Sequence, residues 1–393
     1  MTAGIYLHIP FCKSRCSYCD FATDVYRDSG AVEQYVDVLC KEIYGFGESG
    51  AVAPMRASAQ DCGSPGVNKD AIHIDTIYFG GGTPSLLTPE QVERILHAVN
   101  EKFDVSTDAE ITMEMNPATV TPDTLRGFRS AGVNRASFGV QTFDDHLLKL
   151  LARGHDANDA RRTFEMLRKS GFDNVSFDLI AGLPRQTLAD WGKNLDEAIG
   201  LSPVHLSLYL LEIHKGTPLA EQVRSLRQPS PDPELAAEMY EIMLDRLAAA
   251  GYEQYEISNF SRPGLASRHN SKYWLLDPVY GFGVSAHSFD GRQRYANERD
   301  TAKYVDLIES NGSAETMRED IDLASEFVFL GLRMENGIDL AEYEKRFGVH
   351  LVLKYNADLE RLQEAGLTEN IGERLRLTRR GKLFSNEVFA VFV

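Results

Sequence analysis

The sequence predicts an α/β protein built on a parallel sheet of strand and helix units, with a smaller α+β unit at its C-terminal end. Three observations carry this prediction. Strand-like runs alternate with helical patterns six times over residues 5–211. Several of those runs end in glycine or polar residues, as the strands of a parallel βα barrel do at an active site. A loop with three cysteines follows the first run directly.

The predicted strands lie at 5–9, 74–79, 110–115, 135–140, 174–180 and 205–211. They are rich in β-branched and aromatic residues and are bounded by Gly, Pro and Asn. Apolar residues three and four apart predict helices at 32–46, 89–103, 122–131, 157–170 and 187–199. Each helix can return the chain to the same end of the sheet, so the pattern favours parallel pairing.

The pattern changes near residue 229, which divides the chain into predicted domains at 1–228, 229–318 and 319–393. Residues 47–70 lose all periodicity and are rich in Gly, Ala, Ser and Pro, which is typical of a surface insertion. The last domain has helical patterns at 321–334, 340–347 and 352–365, a short strand near 375–377 and a final helix from 379 onward. This order predicts a winged-helix-like unit.

Composition excludes some classes of function. The 41 basic and 58 acidic residues give a net charge of −17, which disfavours a general surface for nucleic acid or anionic lipid. A basic run near 374–382 is more simply a solvated or docking face. No apolar run reaches membrane-spanning length, and no export signal is recognisable at the start, so we expect a cytoplasmic protein.

The cysteine loop reads CKSRCSYC and places Cys12, Cys16 and Cys19 at C-x₃-C-x₂-C spacing. Three thiolates cannot complete a tetrahedral metal site alone. Either a fourth protein ligand completes a zinc site, for which His8 is the candidate, or one metal position stays open. The first choice describes a zinc-site regulatory protein and the second a cofactor-binding one.

The loop resembles the three-cysteine motif of the radical S-adenosylmethionine (SAM) enzymes, including Tyr18 before the third cysteine. Downstream, GGGTPS, MEMNP, GVQTF and FDLIAGLP resemble elements of the coproporphyrinogen-oxidase-like branch of that family. The resemblance implies a partial (β/α)₆ barrel. It also implies that Cys12, Cys16 and Cys19 hold a [4Fe–4S] cluster whose fourth iron is left for SAM.

The same resemblance implies which residues surround the cofactor: Tyr6, Tyr18, Phe21, Gly81, Gly82, Thr83, Glu114, Gln141, Arg153 and Asp178. Arg153 matches the arginine that pairs with the SAM carboxylate in this branch. A guanidinium suits that role because it offers parallel donors and never loses its charge.

The segment HNSKYW resembles a motif of the haem chaperones in this branch. It implies that His269 ligates haem iron while Tyr273 and Trp274 supply flat apolar surface; the alternative is that these residues only pack and hydrogen-bond a turn. We therefore expect a haem chaperone that passes haem to an acceptor protein and takes electrons from a donor such as flavodoxin or ferredoxin. A membrane-associated acceptor is compatible with the sequence, and nucleic acid is not an expected partner.

Two departures separate the chain from oxygen-independent coproporphyrinogen III oxidase, the main alternative. Phe21 stands where the oxidase motif has a further cysteine, and the first strand begins near residue 5, without the extension that precedes it in the oxidase. A haem-modifying radical enzyme is a third possibility, because it would keep both the SAM site and the haem ligand.

Overall fold

The computed structural model describes residues 2–26, 28–47 and 72–393. From residue 48 onward, the predicted insertion at 47–70 lies outside the described residues. Among the described residues, no helix is long and apolar enough to cross a membrane.

The first part of the chain forms the predicted strand and helix series. Its elements are β1 (Ala3–Ile9), β2 (Phe11–Cys12), β3 (Asp24–Val25), α1 (Ser29–Gly45), β4 (His73–Gly81), α2 (Pro89–Lys102), β5 (Asp104–Met115), α3 (Pro122–Ala131), β6 (Arg135–Gln141), α4 (Asp145–Leu150), α5 (Ala157–Lys169), β7 (Asn174–Ala181), α6 (Leu188–Leu201) and β8 (His205–Leu210). All six predicted strands and all five predicted helices are confirmed, with ends that differ by a few residues.

The helices begin where the sequence supplies capping residues. Four of the crossover helices start with a capping box, in which the side chains of the N-cap residue and the third helical residue each accept a hydrogen bond from the other's backbone N–H. The four pairs are Thr88 with Gln91, Thr121 with Thr124, Asp156 with Asp159, and Thr187 with Asp190. These local signals explain why the helix starts follow the sequence so closely.

The second part extends the sheet on both sides. It contains α7 (Pro218–Arg224), α8 (Pro233–Ala249), β9 (Glu253–Glu256), β10 (Asn259–Ser261), α9 (Arg268–Leu275), β11 (Val279–Phe282), β12 (His287–Phe289), β13 (Gln293–Asn297), α10 (Thr301–Asn311) and β14 (Glu315–Asp320). The result is one twelve-stranded sheet in the order β14-β13-β12-β11-β1-β4-β5-β6-β7-β8-β10-β9.

The strands from β11 to β8 in this order run parallel, whereas the outer strands pair antiparallel. The sheet therefore contains the six parallel strands of the predicted partial barrel. It also has a seventh, β11, which the sequence analysis did not predict and which pairs with β1 from Gly4↔Val279 to Leu7↔Phe282. Because β14 and β9 are the two ends of the sheet, this barrel is not closed.

The third part consists of α11 (Leu323–Gly331), β15 (Ile338–Asp339), α12 (Leu340–Phe347), α13 (Leu351–Lys354), α14 (Asn356–Glu364), β16 (Thr368–Ile371), β17 (Arg374–Leu377), α15 (Arg379–Leu383) and α16 (Ser385–Phe389). The predicted single helix at 352–365 was wrong: two helices meet at Tyr355. The predicted lone strand belongs to a three-stranded sheet of order β15-β17-β16.

The two largest of four hydrophobic clusters in the described residues organise these parts. The larger lies between the parallel strands and helices such as α1, α2 and α6, and includes the fully buried Trp191. The smaller gathers residues of α11, α12, α14 and β17 together with Ile257, which follows β9. Ile257 therefore packs the C-terminal unit against the edge of the barrel sheet, and this contact brings C-terminal side chains to the barrel mouth.

Candidate functional site

A cleft of about 550 Å³ opens at the carboxyl ends of the parallel strands. Eleven of the predicted site residues line it: Cys12, Cys16, Tyr18, Cys19, Phe21, Gly81, Gly82, Glu114, Gln141, Arg153 and Asp178. They come from different strands and loops, and they meet because parallel strands present all their carboxyl ends at one edge of the sheet. Three predicted site residues, Tyr6, Thr83 and His269, do not line the cleft.

The cysteine loop forms the rim of the cleft. Cys12 ends β2, and a backbone hydrogen bond of 3.4 Å from Cys19 N to Cys16 O turns the chain between the other two cysteines. The three cysteines are free thiols. Thr83 Oγ1 donates to Cys12 Sγ at 3.5 Å, and Arg153 Nη1 donates to Cys16 Sγ at 3.4 Å. Burial raises the pKa of the Cys12 and Cys19 thiols.

The donor set suits an iron–sulfur cluster better than a closed zinc site. Three sulfur donors share one cleft, and cysteine thiolates are the usual ligands of such clusters. Among the described residues, no three His, Cys, Asp or Glu side chains are grouped so that they could hold one metal ion. The imidazole of His8, the candidate fourth zinc ligand, has both nitrogens engaged, with Tyr6 OH at 3.1 Å and Ala22 O at 2.9 Å.

Glu114 and Asp178 place two half-buried carboxyl groups in the cleft. Tyr78 OH donates to Glu114 Oε1 at 2.8 Å, and Gly81 N donates to Glu114 Oε2 at 3.2 Å. Burial, and then the nearby Asp178 carboxylate, raise the pKa of Glu114 to about 7 against its two hydrogen-bond donors. Burial also raises the pKa of Asp178, to which Ser137 Oγ donates at 3.4 Å.

Arg153 is the permanent cation of this region. Its Nη2 donates to Asn116 Oδ1 at 2.6 Å and to Gly139 O at 2.7 Å, which fixes the guanidinium beside Cys16. Its Nε is buried without a partner in the described structure. Gln141 is held close by, with a left-handed backbone (φ +66°) at the end of β6. Asn116 is a residue that the list of predicted site residues missed, although it follows Glu114 closely at the same strand end.

Packing requires glycine at two positions of the GGGTPS segment, apart from any room that these glycines give a ligand. A Cβ on Gly81 would lie 2.6 Å from the His8 ring, and its φ of +105° strains any other residue. A Cβ on Gly82 would lie 2.7 Å from the backbone of Pro10. These glycines therefore let the start of the cysteine loop lie against the end of β4.

Tyr6 and Thr83 do not line the cleft but pack or hydrogen-bond next to it. Tyr6 stacks on Tyr78 inside the barrel, with ring centroids 6.2 Å apart. Thr83 Oγ1 accepts a hydrogen bond from Asn116 Nδ2 at 2.7 Å while it donates to Cys12. Neither residue lines the cleft: Thr83 contacts two residues that do, and Tyr6 lies one layer further away, against Tyr78 and His8.

His269 lies at the opposite end of the barrel. It contacts Thr76, near the amino end of β4, whereas the cysteine loop follows the carboxyl end of β1. Its Nδ1 is 3.0 Å from Thr76 Oγ1 and its Nε2 is 3.1 Å from Tyr273 OH. Only 1% of His269 is exposed, and its ring stacks on Tyr78. The imidazole that the resemblance implies as a haem ligand is therefore covered, and both of its nitrogens are hydrogen-bonded.

The far wall of the cleft was missed by the sequence analysis. It is formed by Tyr240 of α8, by Ile257, by Arg333 after α11, and by Lys382 and Asn386 of the last two helices. No local motif marks these residues. Arg333, Lys382 and Asn386 reach the cleft because the C-terminal unit packs against the end of the barrel sheet, which Ile257 and Tyr240 adjoin.

Comparison with known proteins agrees with this geometry. A model of the radical SAM superfamily matches residues 67–198, and a model of the HemN C-terminal domain matches residues 319–384. A solved structure of coproporphyrinogen III oxidase (HemN) from Escherichia coli superposes with a TM-score of 0.83 at 25% identity, covering 100% of this chain and 90% of that one. Fold and site together define a protein of the radical SAM class.

Comparison with sequence relatives identifies the family within the radical SAM class. The chain is 36% identical to the heme chaperone HemW of Bacillus subtilis, over 99% of this chain and 98% of the relative. It is 33% identical to the heme chaperone HemW of Lactococcus lactis, over 99% and 96%. It is also 34% identical to radical S-adenosyl methionine domain-containing protein 1, mitochondrial, of Bos taurus, over 99% and 85%. The chain belongs to the HemW family. Membership of the radical SAM class implies a [4Fe–4S] cluster and SAM.

Proposed function

We propose that this protein binds haem and passes it to acceptor proteins, and that it carries a [4Fe–4S] cluster with bound SAM. The observation that carries this proposal is the match over almost the whole chain to relatives named heme chaperone HemW. The match includes the barrel and the C-terminal unit alike, so it is not limited to the domain that all radical SAM proteins share.

Cys12, Cys16 and Cys19 would hold the cluster, because they are the three thiols on the rim of the cleft. When bound, a cluster with one open iron supplies one-electron chemistry toward SAM. Arg153 would bind the SAM carboxylate through its fixed guanidinium. Glu114 and Asp178 would accept hydrogen bonds from polar groups of SAM in the cleft, which they line together. The C-terminal wall would limit access of solvent from the other side.

The haem would use a separate set of residues from the cluster. The HNSKYW segment lies on α9 and includes none of the cysteines, and its His269 contacts Thr76 near the amino end of β4. We therefore expect haem binding to survive loss of the cluster. The acceptor protein, and an electron donor such as flavodoxin or ferredoxin, complete the proposed set of partners.

The experiment is anaerobic iron–sulfur reconstitution followed by haem titration, with the triple variant Cys12→Ala, Cys16→Ala and Cys19→Ala as the matched control. Before haem is added, only the native protein should carry iron and sulfide, and both proteins should then show a saturable Soret change. Haem-loaded protein should then transfer haem to apomyoglobin, used as a generic acceptor. Haem binding no stronger than that of a nonspecific control protein would contradict the proposal.

Coproporphyrinogen III oxidase activity is the second candidate, favoured by the TM-score of 0.83 to HemN. Phe21 argues against it, because it stands where the oxidase motif has a cysteine, and its side chain lies 62% exposed at the cleft. The assay supplies the reconstituted protein with SAM, reductant and coproporphyrinogen III. Robust formation of protoporphyrinogen without specific haem binding would favour the oxidase.

A further inference from the structure

Arg333 connects the HNSKYW segment to the cleft. The guanidinium carbon of Arg333 lies 4.3 Å from the ring centre of Trp274, which is the last residue of that segment. The side chain of Arg333 also lines the cleft. Trp274 itself does not line the cleft. The segment therefore contacts the ligand space at the barrel mouth through a residue that lies far from it in sequence.

Arg333 is held firmly on one side and has free donors on the other. Its Nη2 donates to Glu256 Oε2 at 3.1 Å. Glu256 is 1% exposed, and its other oxygen accepts hydrogen bonds from Ser258 N and the Asn259 side chain, so its position is fixed. Within the described residues this is the one hydrogen bond that Arg333 donates, and its Nε is buried without a partner. A guanidinium has five N–H donors in a planar fork that matches a carboxylate.

Two other cations of the cleft, Lys382 and Arg153, are more fully hydrogen-bonded than Arg333. A third, Arg15, lies on the cysteine loop itself and donates to Cys19 O at 3.4 Å. Lys382 Nζ donates to Gln254 Oε1 at 2.6 Å and pairs with Glu335. Arg153 donates to Asn116 and Gly139 beside the cysteines. The wall that carries Arg333 also contains the apolar surfaces of Tyr240 and Ile257, with the polar Lys382 and Asn386 on the same wall. This combination suits a flat apolar molecule that carries a carboxylate at its edge.

We propose that Arg333, on the C-terminal wall of the cleft, binds a propionate of the haem while the cysteines on the rim hold the cluster, and that Trp274 acts as a positioning residue for this guanidinium. The inference rests on the proposed haem-binding function and adds the site and the group recognised. It also gives the tryptophan of the HNSKYW segment a role that does not require His269 to leave its buried position.

The test compares haem with haem dimethyl ester, in which both propionates are neutral. Dissociation constants are measured by Soret titration for the native protein, Arg333→Met and the matched control Arg294→Met. Arg294 has a similar environment, with a guanidinium 5.5 Å from the Phe289 ring and an ion pair to Glu326, but it does not line the cleft. The native protein and the control should prefer haem over the ester by about 10- to 100-fold, the range of a hydrogen bond to a charged group.

In Arg333→Met this preference should disappear while ester affinity stays as in the native protein. If that variant fails to fold, Arg333→Gln replaces it, because glutamine keeps a donor for Glu256. Trp274→Phe should retain more of the preference than Trp274→Leu. Equal weakening of haem and ester in the Arg333 variants would show a merely structural role and overturn the inference. Absence of specific haem binding in the native protein would instead reject the proposed function, and this inference with it.

Discussion

Acidification should destabilise the native protein more than a His269→Gln variant. Burial is the main cause that lowers the pKa of His269 to about 3, and the nearby cations Lys272 and Arg135 add to it against the opposing charge of Asp75. An unperturbed histidine has a pKa near 6.5. The unfolded chain therefore takes up a proton at this site as the pH falls below about 6.5, whereas the folded chain does so only near 3.

The size of the effect follows from this difference. A folded pKa below the unfolded one gives a contribution to stability that is fully present above pH 6.5 and is lost as the pH falls toward 3. At pH 5, about 1.5 units below the unfolded pKa, the loss is about 2 kcal/mol at 1.36 kcal/mol per unit. A glutamine side chain at this position cannot titrate, so the variant should lack this part of the acid sensitivity whatever its stability at neutral pH.

The assay is denaturant unfolding at pH 7.5 and pH 5, followed by far-UV circular dichroism and tryptophan fluorescence. The decrease in unfolding free energy between the two pH values should be about 2 kcal/mol smaller in His269→Gln than in the native protein. The control is Asn270→Ala on the same helix, which should lower stability equally at both pH values. Equal acid sensitivity in the native protein and His269→Gln would refute the reasoning, because it would mean that the folded imidazole is open to protons.

Three further predictions concern the cleft. Replacing Cys12, Cys16 and Cys19 by alanine should abolish bound iron and the brown colour after anaerobic reconstitution. Iron analysis and visible absorption measure both, and retained iron would show that other residues bind the cluster. Arg153→Ala should weaken SAM binding by about 1.5–3 kcal/mol in calorimetric titration, the range for a charged hydrogen bond, and unchanged affinity would remove this arginine from the site. Glu114→Gln should stabilise the protein by up to about 3 kcal/mol at pH 8 and by less toward pH 5. Burial raises the pKa of Glu114 to about 7, so its ionised form, which destabilises the folded state, is present only at higher pH. If thermal unfolding of the two proteins responds identically to pH, this prediction is wrong.

Much of the barrel could be predicted because its signals are local. Capping residues such as Thr88 and Thr187 mark where helices begin, and apolar runs mark the buried strands. Strand β11 was missed because it has only four residues and its parallel partner β1 lies far away in the sequence, near the start of the chain. The break at Tyr355 was missed because the apolar periodicity continues through it.

The sequence by itself determined the chemistry at the strand ends: three thiols after the first strand, then glycines, carboxylates, an amide and an arginine at the ends or just beyond the following ones. Parallel pairing brings these groups to one edge, so eleven of the predicted site residues could be placed in one cleft. Only the tertiary structure decided that Tyr6 and Thr83 do not line the cleft and that His269 is covered at the opposite end. It alone brought Arg333 against Trp274. Which neighbours surround a side chain depends on packing between elements distant in sequence, and no local pattern of residues encodes that packing.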